Sequence, residues 1–74
     1  MSGAKSTERL RTFGPAVIRL RIDAGLSQQE LADAVGCPLL TIQRIESRVI
    51  LPDNSLRARL IEFFWRLEKS KEPA

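Results

Sequence analysis

The 74-residue sequence predicts an all-α fold, a compact bundle of four or five helices. Apolar residues recur every three or four positions in several segments, which is the period of an amphipathic helix. Glycine or proline separates these segments, and a capping box precedes one of them. Because a chain this short buries only roughly 60–65% of its unfolded surface, we expect a single domain that a second subunit would stabilise.

The first helix of the bundle is predicted to begin at Gly14-Pro15, because proline is tolerated in the first turn of a helix, where no backbone N–H is needed. Gly25 is expected to end it, since glycine readily takes the left-handed conformation of a helix C-terminus. The apolar residues between these points follow the helical period: Val17, Leu20 and Ala24.

Both ends of the chain are polar. Residues 1–12 are basic and hold little apolar surface, so we expect a flexible arm or a frayed helical turn there. Residues 70–74 contain a proline that cannot extend a helix, and they are predicted to form a disordered tail. The folded domain therefore covers residues 13–69.

The second helix has a sharply defined start. The Ser27 hydroxyl can accept a hydrogen bond from the backbone N–H of Glu30, whose side chain reaches back to the N–H of Ser27. The helix should run to about Val35 and end at Gly36, which can turn the chain at positive φ. Its buried residues are expected to be Leu31, Ala32 and Val35.

Pro38 opens a third helix, predicted over residues 38–47. Ile42 and Ile45, three positions apart, form its buried face. The remaining side chains of this helix look away from the core: Leu39, Leu40, Gln43, Arg44 and Ser47.

The fourth helix follows Pro52, with Asp53 or Asn54 as its N-cap. Ile61 and Trp65 lie outside its buried stripe. That stripe has the spacing of a long amphipathic helix: Leu56, Leu60, Phe63, Phe64 and Leu67.

Composition narrows the function classes. The net charge of +3 suits phosphate-rich partners, although it equally suits a solubilising surface. With one cysteine and no histidine, neither a disulfide framework nor a Cys/His zinc site can form within one chain. Tyrosine is absent as well, so few catalytic groups remain and we expect no enzyme and no cofactor. The N-terminus lacks the apolar run of a signal peptide, and no segment has the length of a membrane span, so we expect a cytoplasmic, nucleoid-associated protein.

Residues 28–47 meet the demands of a helix-turn-helix. Ala32 is small enough for two helices to cross closely, Gly36 allows a tight turn, and Cys37 fills that turn as an inert core residue. The stretch GLSQQELADAVG, followed by TIQRIES and a proline, resembles the lambda repressor and Cro-type helix-turn-helix family across residues 14–67. This resemblance implies a transcriptional regulator, usually a repressor, that binds a palindromic double-stranded DNA operator as a homodimer and needs no small-molecule ligand. The second helix of the motif would lie in the major groove, with half-sites ~34 Å apart.

The resemblance also implies roles for single residues. Arg44 suits a bidentate contact with guanine and Gln43 one with adenine, whereas leucines could contact only thymine methyls. Base-reading positions of the family match Pro38, Leu39, Leu40, Gln43 and Arg44.

Phosphate contacts are expected beside these residues. Gln28 matches the family position that grips a phosphate at a helix start, although an exposed glutamine without that role fits the sequence too. The basic residues of the arm would add contacts unless the arm is only a solvated tail. The other residues of this set are Gln29, Ser47, Arg48, Lys5, Arg9 and Arg11.

Two further observations concern structure. Arg21 and Glu46 match a family ion pair that ties the first helix to the end of the recognition helix. Arg48 is a departure, because the family often has glycine there.

A homodimer interface is predicted on the fourth helix, at Ile61, Phe64 and Trp65, because an exposed tryptophan beside isoleucine is typical of an interface. The alternative is that Trp65 folds back onto Ile18 or Ile22 and fills the space of a missing fifth helix.

A different function stays open at this point. The chain could be a protein-interaction module, binding a toxin or a polymerase subunit through an apolar surface. That surface would consist of Leu39, Leu40, Val49, Ile50 and Leu51.

Overall fold

The computed structural model describes residues 2–70, and for residues 2–8 and 10 it describes the backbone alone. Within this part of the chain four helices follow one another: α1 (Ser2–Asp23), α2 (Gln28–Val35), α3 (Leu39–Glu46) and α4 (Asn54–Ser70). Helix α3 packs against α1 and α2, and α4 packs against α2. Residues 2–70 contain no strand, so the predicted all-α fold is confirmed. A fifth helix is not present in that range, and none of the four is long and apolar enough to cross a membrane.

Helix α1 begins at Ser2 and continues without a break through Pro15, so the helix start predicted at Gly14-Pro15 is wrong. The run from Glu8 to Arg11 consists of good helix formers, which lets the predicted arm form part of α1. Pro15 is exposed, and water can therefore satisfy the carbonyl group that its missing N–H leaves free. At the other end α4 includes Ser70, and the rest of the predicted tail lies outside the described residues.

Gly14 is buried where α1 crosses α3. A Cβ atom at this position would lie 2.4 Å from the carbonyl oxygen of Ile45 and 3.3 Å from that of Glu46. The two helices thus touch through their backbones, and only glycine leaves room for that approach. Gly14 fixes how closely α3 sits on α1, instead of starting a helix.

The predicted capping box of α2 is confirmed. The Glu30 N–H donates to Ser27 Oγ at 3.0 Å, and the Ser27 N–H donates to Glu30 Oε1 at 2.8 Å. Gly36 ends the helix at φ +72°, as expected for a left-handed C-terminal residue. Both ends of α2 are therefore fixed by local sequence.

Helix α3 ends in the same way but without glycine. The N–H of Arg48 donates to the carbonyl of Ile45 at 3.1 Å, and the N–H of Val49 donates to that of Arg44 at 2.9 Å. These two hydrogen bonds define a Schellman motif, which needs a left-handed residue. Arg48 takes this conformation at φ +65°, and no other non-glycine residue of the described chain has a positive φ.

Helix α4 starts at an aspartate cap. Asp53 Oδ1 accepts a hydrogen bond from the Leu56 N–H at 2.8 Å, so Asp53 is the N-cap and Asn54 is the first helical residue. Ile61 and Trp65 lie outside the core, as predicted.

The core joins all four helices. Leu20 follows the helical period of α1 but is 40% exposed. Phe64 is only 9% exposed and belongs to the core, whereas Phe63 and Leu67 pack at its edge. Phe64 therefore contributes to the monomer core, and its assignment to a dimer interface stays a prediction. The core residues are Val17, Leu31, Ala32, Val35, Ile42, Ile45, Leu56, Leu60 and Phe64.

Candidate nucleic-acid interface

Helix α3 presents one stripe of side chains to solvent. Ile42 and Ile45 are fully buried on the opposite side and hold the helix in place. At 3.6 residues per turn, the exposed side chains fall within about 100° of the helix surface. They are Leu40, Gln43, Arg44 and Ser47.

Two of the predicted base-reading residues, Pro38 and Leu39, do not belong to this stripe. Pro38 is exposed and caps the start of α3 with its backbone in an extended conformation. Leu39 is half-buried, which leaves it less surface for a partner. Gln43 and Arg44 are exposed, and no described side chain bonds to either of them. Their polar groups are therefore available to an external partner.

Glu46 ties α3 to the two helices behind it. The carboxylate is 7% exposed and accepts from Arg21 Nε at 2.7 Å and from Arg21 Nη2 at 3.1 Å. The ion pair expected between these residues is present. Arg21 Nη1 also donates to the carbonyl of Leu26 at 2.9 Å, which fixes the guanidinium from a second side. Helix α3 is thus anchored at its C-terminal end.

Gln28 is the third residue of this network. Its Nε2 atom donates to Glu46 Oε1 at 2.9 Å, so the residue predicted to contact phosphate already has one partner inside the protein. An amide nitrogen carries two hydrogens, and one of them remains for another acceptor. The next residue, Gln29, donates to Asp33 Oδ1 at 2.9 Å on the exposed surface of α2.

The cationic side chains predicted to contact phosphate lie at the end of α3 and on α1. Arg44 and Arg48 are exposed at the end of α3 and just beyond it. Arg9 and Arg11 are exposed on α1, and Arg9 lines a groove of about 250 Å³ with Leu51 and with the α4 residues Arg57 and Ile61. The side chain of Lys5, assigned to the same phosphate-binding set, lies outside the described residues.

Arg59 stabilises the turn of the motif and was not identified from the sequence. Its Nη1 atom donates to the carbonyl of Val35 at 3.0 Å and to that of Gly36 at 3.4 Å, at the negative end of α2. Burial raises the pKa of the neighbouring Cys37 thiol, and the charge of Arg59 lowers that pKa by less. The thiol is therefore protonated near neutral pH, which agrees with its predicted role as an inert residue that packs in the turn.

The apolar surface of the alternative function is exposed only in part. Leu40 and Val49 are exposed, but Ile50 packs against the core, and Leu51 is half-buried. Leu40 and Val49 are therefore the members of this set that are most open to a partner.

The largest exposed apolar residues of α4 are Ile61 and Trp65, which are 54% and 58% exposed to solvent. The ammonium group of Lys69 lies 4.5 Å from the centre of the Trp65 ring. Ile22 is itself largely exposed, so Trp65 does not fill the core beside it. Trp65 instead borders an open groove between α1 and α4.

Comparison with known proteins gives one result. A helix-turn-helix family model, HTH_3, matches residues 17–64, which is more than half of the chain. The match includes α2, α3 and all the core residues from Val17 to Phe64. No curated protein and no solved structure matches the chain.

Proposed function

Because this chain belongs to the Cro/C1-type helix-turn-helix family HTH_3, a family of DNA-binding regulators that are generally not enzymes, we propose that it represses transcription. The target is a palindromic double-stranded DNA operator, read by a homodimer in the cytoplasm. Occupancy of the operator is sufficient for repression, since it keeps other proteins off the same duplex.

The observation that carries the proposal is the exposed stripe of α3. Gln43 and Arg44 have no partner among the described side chains, on a helix whose opposite face is fully buried. A single α-helix fits the major groove, where a guanidinium can bind guanine and an amide can bind adenine through two hydrogen bonds each. Leu40, in the same stripe, supplies an apolar contact for a thymine methyl group.

Phosphate contacts would hold this helix in register. The free amide hydrogen of Gln28 and the first backbone N–H groups of α2 suit one phosphate, since a helix N-terminus attracts anions. Exposed Ser47 and Arg48 suit another at the far end of α3. Gln29 and the α1 cations Lys5, Arg9 and Arg11 would add contacts to the backbone of the duplex.

The test is a matrix of protein variants against DNA variants. A duplex is first selected from a random library with the wild-type chain, and each base pair is then changed singly. Arg44→Ala and Gln43→Ala should each lose about 1–3 kcal/mol of discrimination at particular base pairs. Gln28→Ala should weaken binding to all duplexes alike and leave the salt dependence unchanged, because an uncharged amide displaces no counterion.

Arg66→Ala is the matched control, because Arg66 is an exposed arginine paired with Glu62 on α4. It should leave base preference unchanged. Equal losses at every base pair for Arg44→Ala, Gln43→Ala and Gln28→Ala would contradict the assignment of base-reading residues, and affinity that does not respond to salt would contradict DNA binding itself.

A further inference from the structure

Helix α4 carries a second exposed stripe, here called the α4 outer face. At 3.6 residues per turn its members fall within about 100° of the helix surface, on the flank next to the core-facing side. All of them are exposed: Asn54, Arg57, Ala58, Ile61, Trp65 and Glu68.

The shape of this face is uneven. Ala58, Ile61 and Trp65 line a shallow depression of about 570 Å³ along α4. Ala58 is the smallest of the three, so the depression lies above it, and Trp65 projects from the face two helical turns further on. A protruding indole and a hollow on the same face allow two copies to fit into each other.

The charges of this face are ordered along the helix. Arg57 lies towards the N-terminal end and Glu68 towards the C-terminal end. Among the described side chains neither has an ion-pair partner. Two parallel helices would bring like charges together. In two antiparallel helices, Arg57 of each copy lies close to Glu68 of the other copy, which gives two pairs of opposite charges.

We propose that a second copy of this chain covers the α4 outer face, with the two α4 helices antiparallel and the two-fold axis passing Ile61. This inference rests on the homodimer of the proposed function and specifies its interface. Trp65 then enters the hollow above the partner subunit's Ala58. Arg57 and the partner subunit's Glu68 lie about 4.5 Å apart along the helix axis, a distance that an arginine side chain spans.

The neighbouring groove extends the same interface. Between α1 and α4 lies an apolar groove of about 420 Å³, lined by Phe13, Leu20 and Phe64 and bordered by Trp65. Its exposed Leu20 continues the apolar part of the α4 outer face. A single pair of helices still buries less than the roughly 800 Å² per partner of a standard interface, so the free dimer should be weak and operator DNA should strengthen it.

Reversing the charges of Arg57 and Glu68 tests whether the two α4 helices are antiparallel. The measurement uses the full chain. Sedimentation equilibrium of Arg57→Glu and of Glu68→Arg should each show a dimer dissociation constant raised about tenfold, because each change puts two like-charge contacts into the interface. The double variant Arg57→Glu/Glu68→Arg should return to within about threefold of wild type. Arg66→Glu makes the same charge change on the other flank of α4 and should leave the constant unchanged.

Cross-linking tests the position of the axis. In a Cys37→Ala background, Ile61→Cys should form an intermolecular disulfide under copper-phenanthroline oxidation, because residues on a two-fold axis face their own copies. Ala58→Cys is the control, since its two copies lie about 9 Å apart along the axis, beyond the reach of a disulfide.

The outcomes separate this inference from the proposed function. Dimers that do not respond to single charge changes, a double variant that is not restored, or a wild-type chain that stays monomeric with the selected duplex would overturn the α4 interface. DNA selection by such a chain would still support operator binding. A chain that dimerises as described but selects no duplex would instead overturn the proposed function and leave the interface standing.

Discussion

Helices α3 and α4 bury one face each in the same core, yet their exposed faces differ in chemistry. The α3 stripe offers an amide, a guanidinium and a hydroxyl group, at Gln43, Arg44 and Ser47. The α4 outer face offers Ile61 and Trp65 between one positive and one negative charge. Buried positions decide how a helix packs, and exposed positions decide which partner it suits. The proposed partners are the polar edges of bases for α3 and an apolar protein surface for α4.

The two helices are also held in different ways. Helix α3 has eight residues and depends on the close contact at Gly14 and on the Glu46 network. Helix α4 has 17 residues and depends on a long apolar stripe and the Asp53 cap. A few substitutions behind α3 should therefore change DNA binding while α4 keeps its place.

The largest effect is expected for Glu46→Ala. It leaves the mostly buried Arg21 guanidinium without its carboxylate and should lower the free energy of unfolding by about 3 kcal/mol. Urea unfolding measures this loss, and Glu62→Ala, which removes the exposed partner of Arg66, should cost less than about 0.5 kcal/mol. Equal losses for the two variants would contradict the anchoring of α3 by Glu46.

The second largest effect is expected for Gly14→Ala, which tests the close contact between α1 and α3. Alanine is about 1 kcal/mol better than glycine within a helix, but its Cβ would overlap the Ile45 carbonyl, so we expect a net loss of about 1–3 kcal/mol. Thermal unfolding measures the loss, and DNA affinity should fall because α3 must shift away from α1. At the exposed control position, Ser55→Ala should be neutral or slightly stabilising. A more stable Gly14→Ala variant would contradict the close approach.

The smallest effect is expected for Arg48→Gly, which should raise the free energy of unfolding. Arg48→Gly removes a left-handed arginine and should stabilise the protein by about 1 kcal/mol in chemical unfolding. Gly36→Ala makes the reverse change at the corresponding position of α2 and should destabilise by a similar amount. If Arg48→Gly destabilises the chain, the side chain of Arg48 has a structural role that its exposure does not suggest.

Features determined by neighbouring residues could be predicted from the sequence. The Ser27–Glu30 capping box and the turn at Gly36 depend on local backbone chemistry, and the structure contains them as expected. Gly14 could not be understood in this way, because its role arises only where α1 crosses α3. A proline beside it suggested a helix start instead.

In the candidate site, too, contacts between distant residues could not be predicted from the sequence. The outward face of α3 follows from helical period, and the Arg21–Glu46 pair came from the family resemblance. The bonds of Gln28 to Glu46 and of Arg59 to Val35 join residues 18 and 24 positions apart, without a local sequence pattern. The sequence assigns Phe64 both to the buried stripe and to the interface, because adjacent helical residues differ by 100° in direction and the helical period alone does not decide whether Phe63 or Phe64 is buried more deeply.

A carboxylate shared by three helices also determines how the native protein opens to solvent. If α3 separated alone, the Arg21 guanidinium, the Gln28 amide and the Glu46 carboxylate would all lose their hydrogen-bond partners. Helix α3 should therefore not detach by itself. Backbone amides of α2 and α3 should therefore exchange with deuterium through one joint opening of the same free energy. Amides in the last turns of α4, beyond Phe64, should exchange faster through fraying, which would leave the helix-turn-helix as the slowest-exchanging unit of the chain.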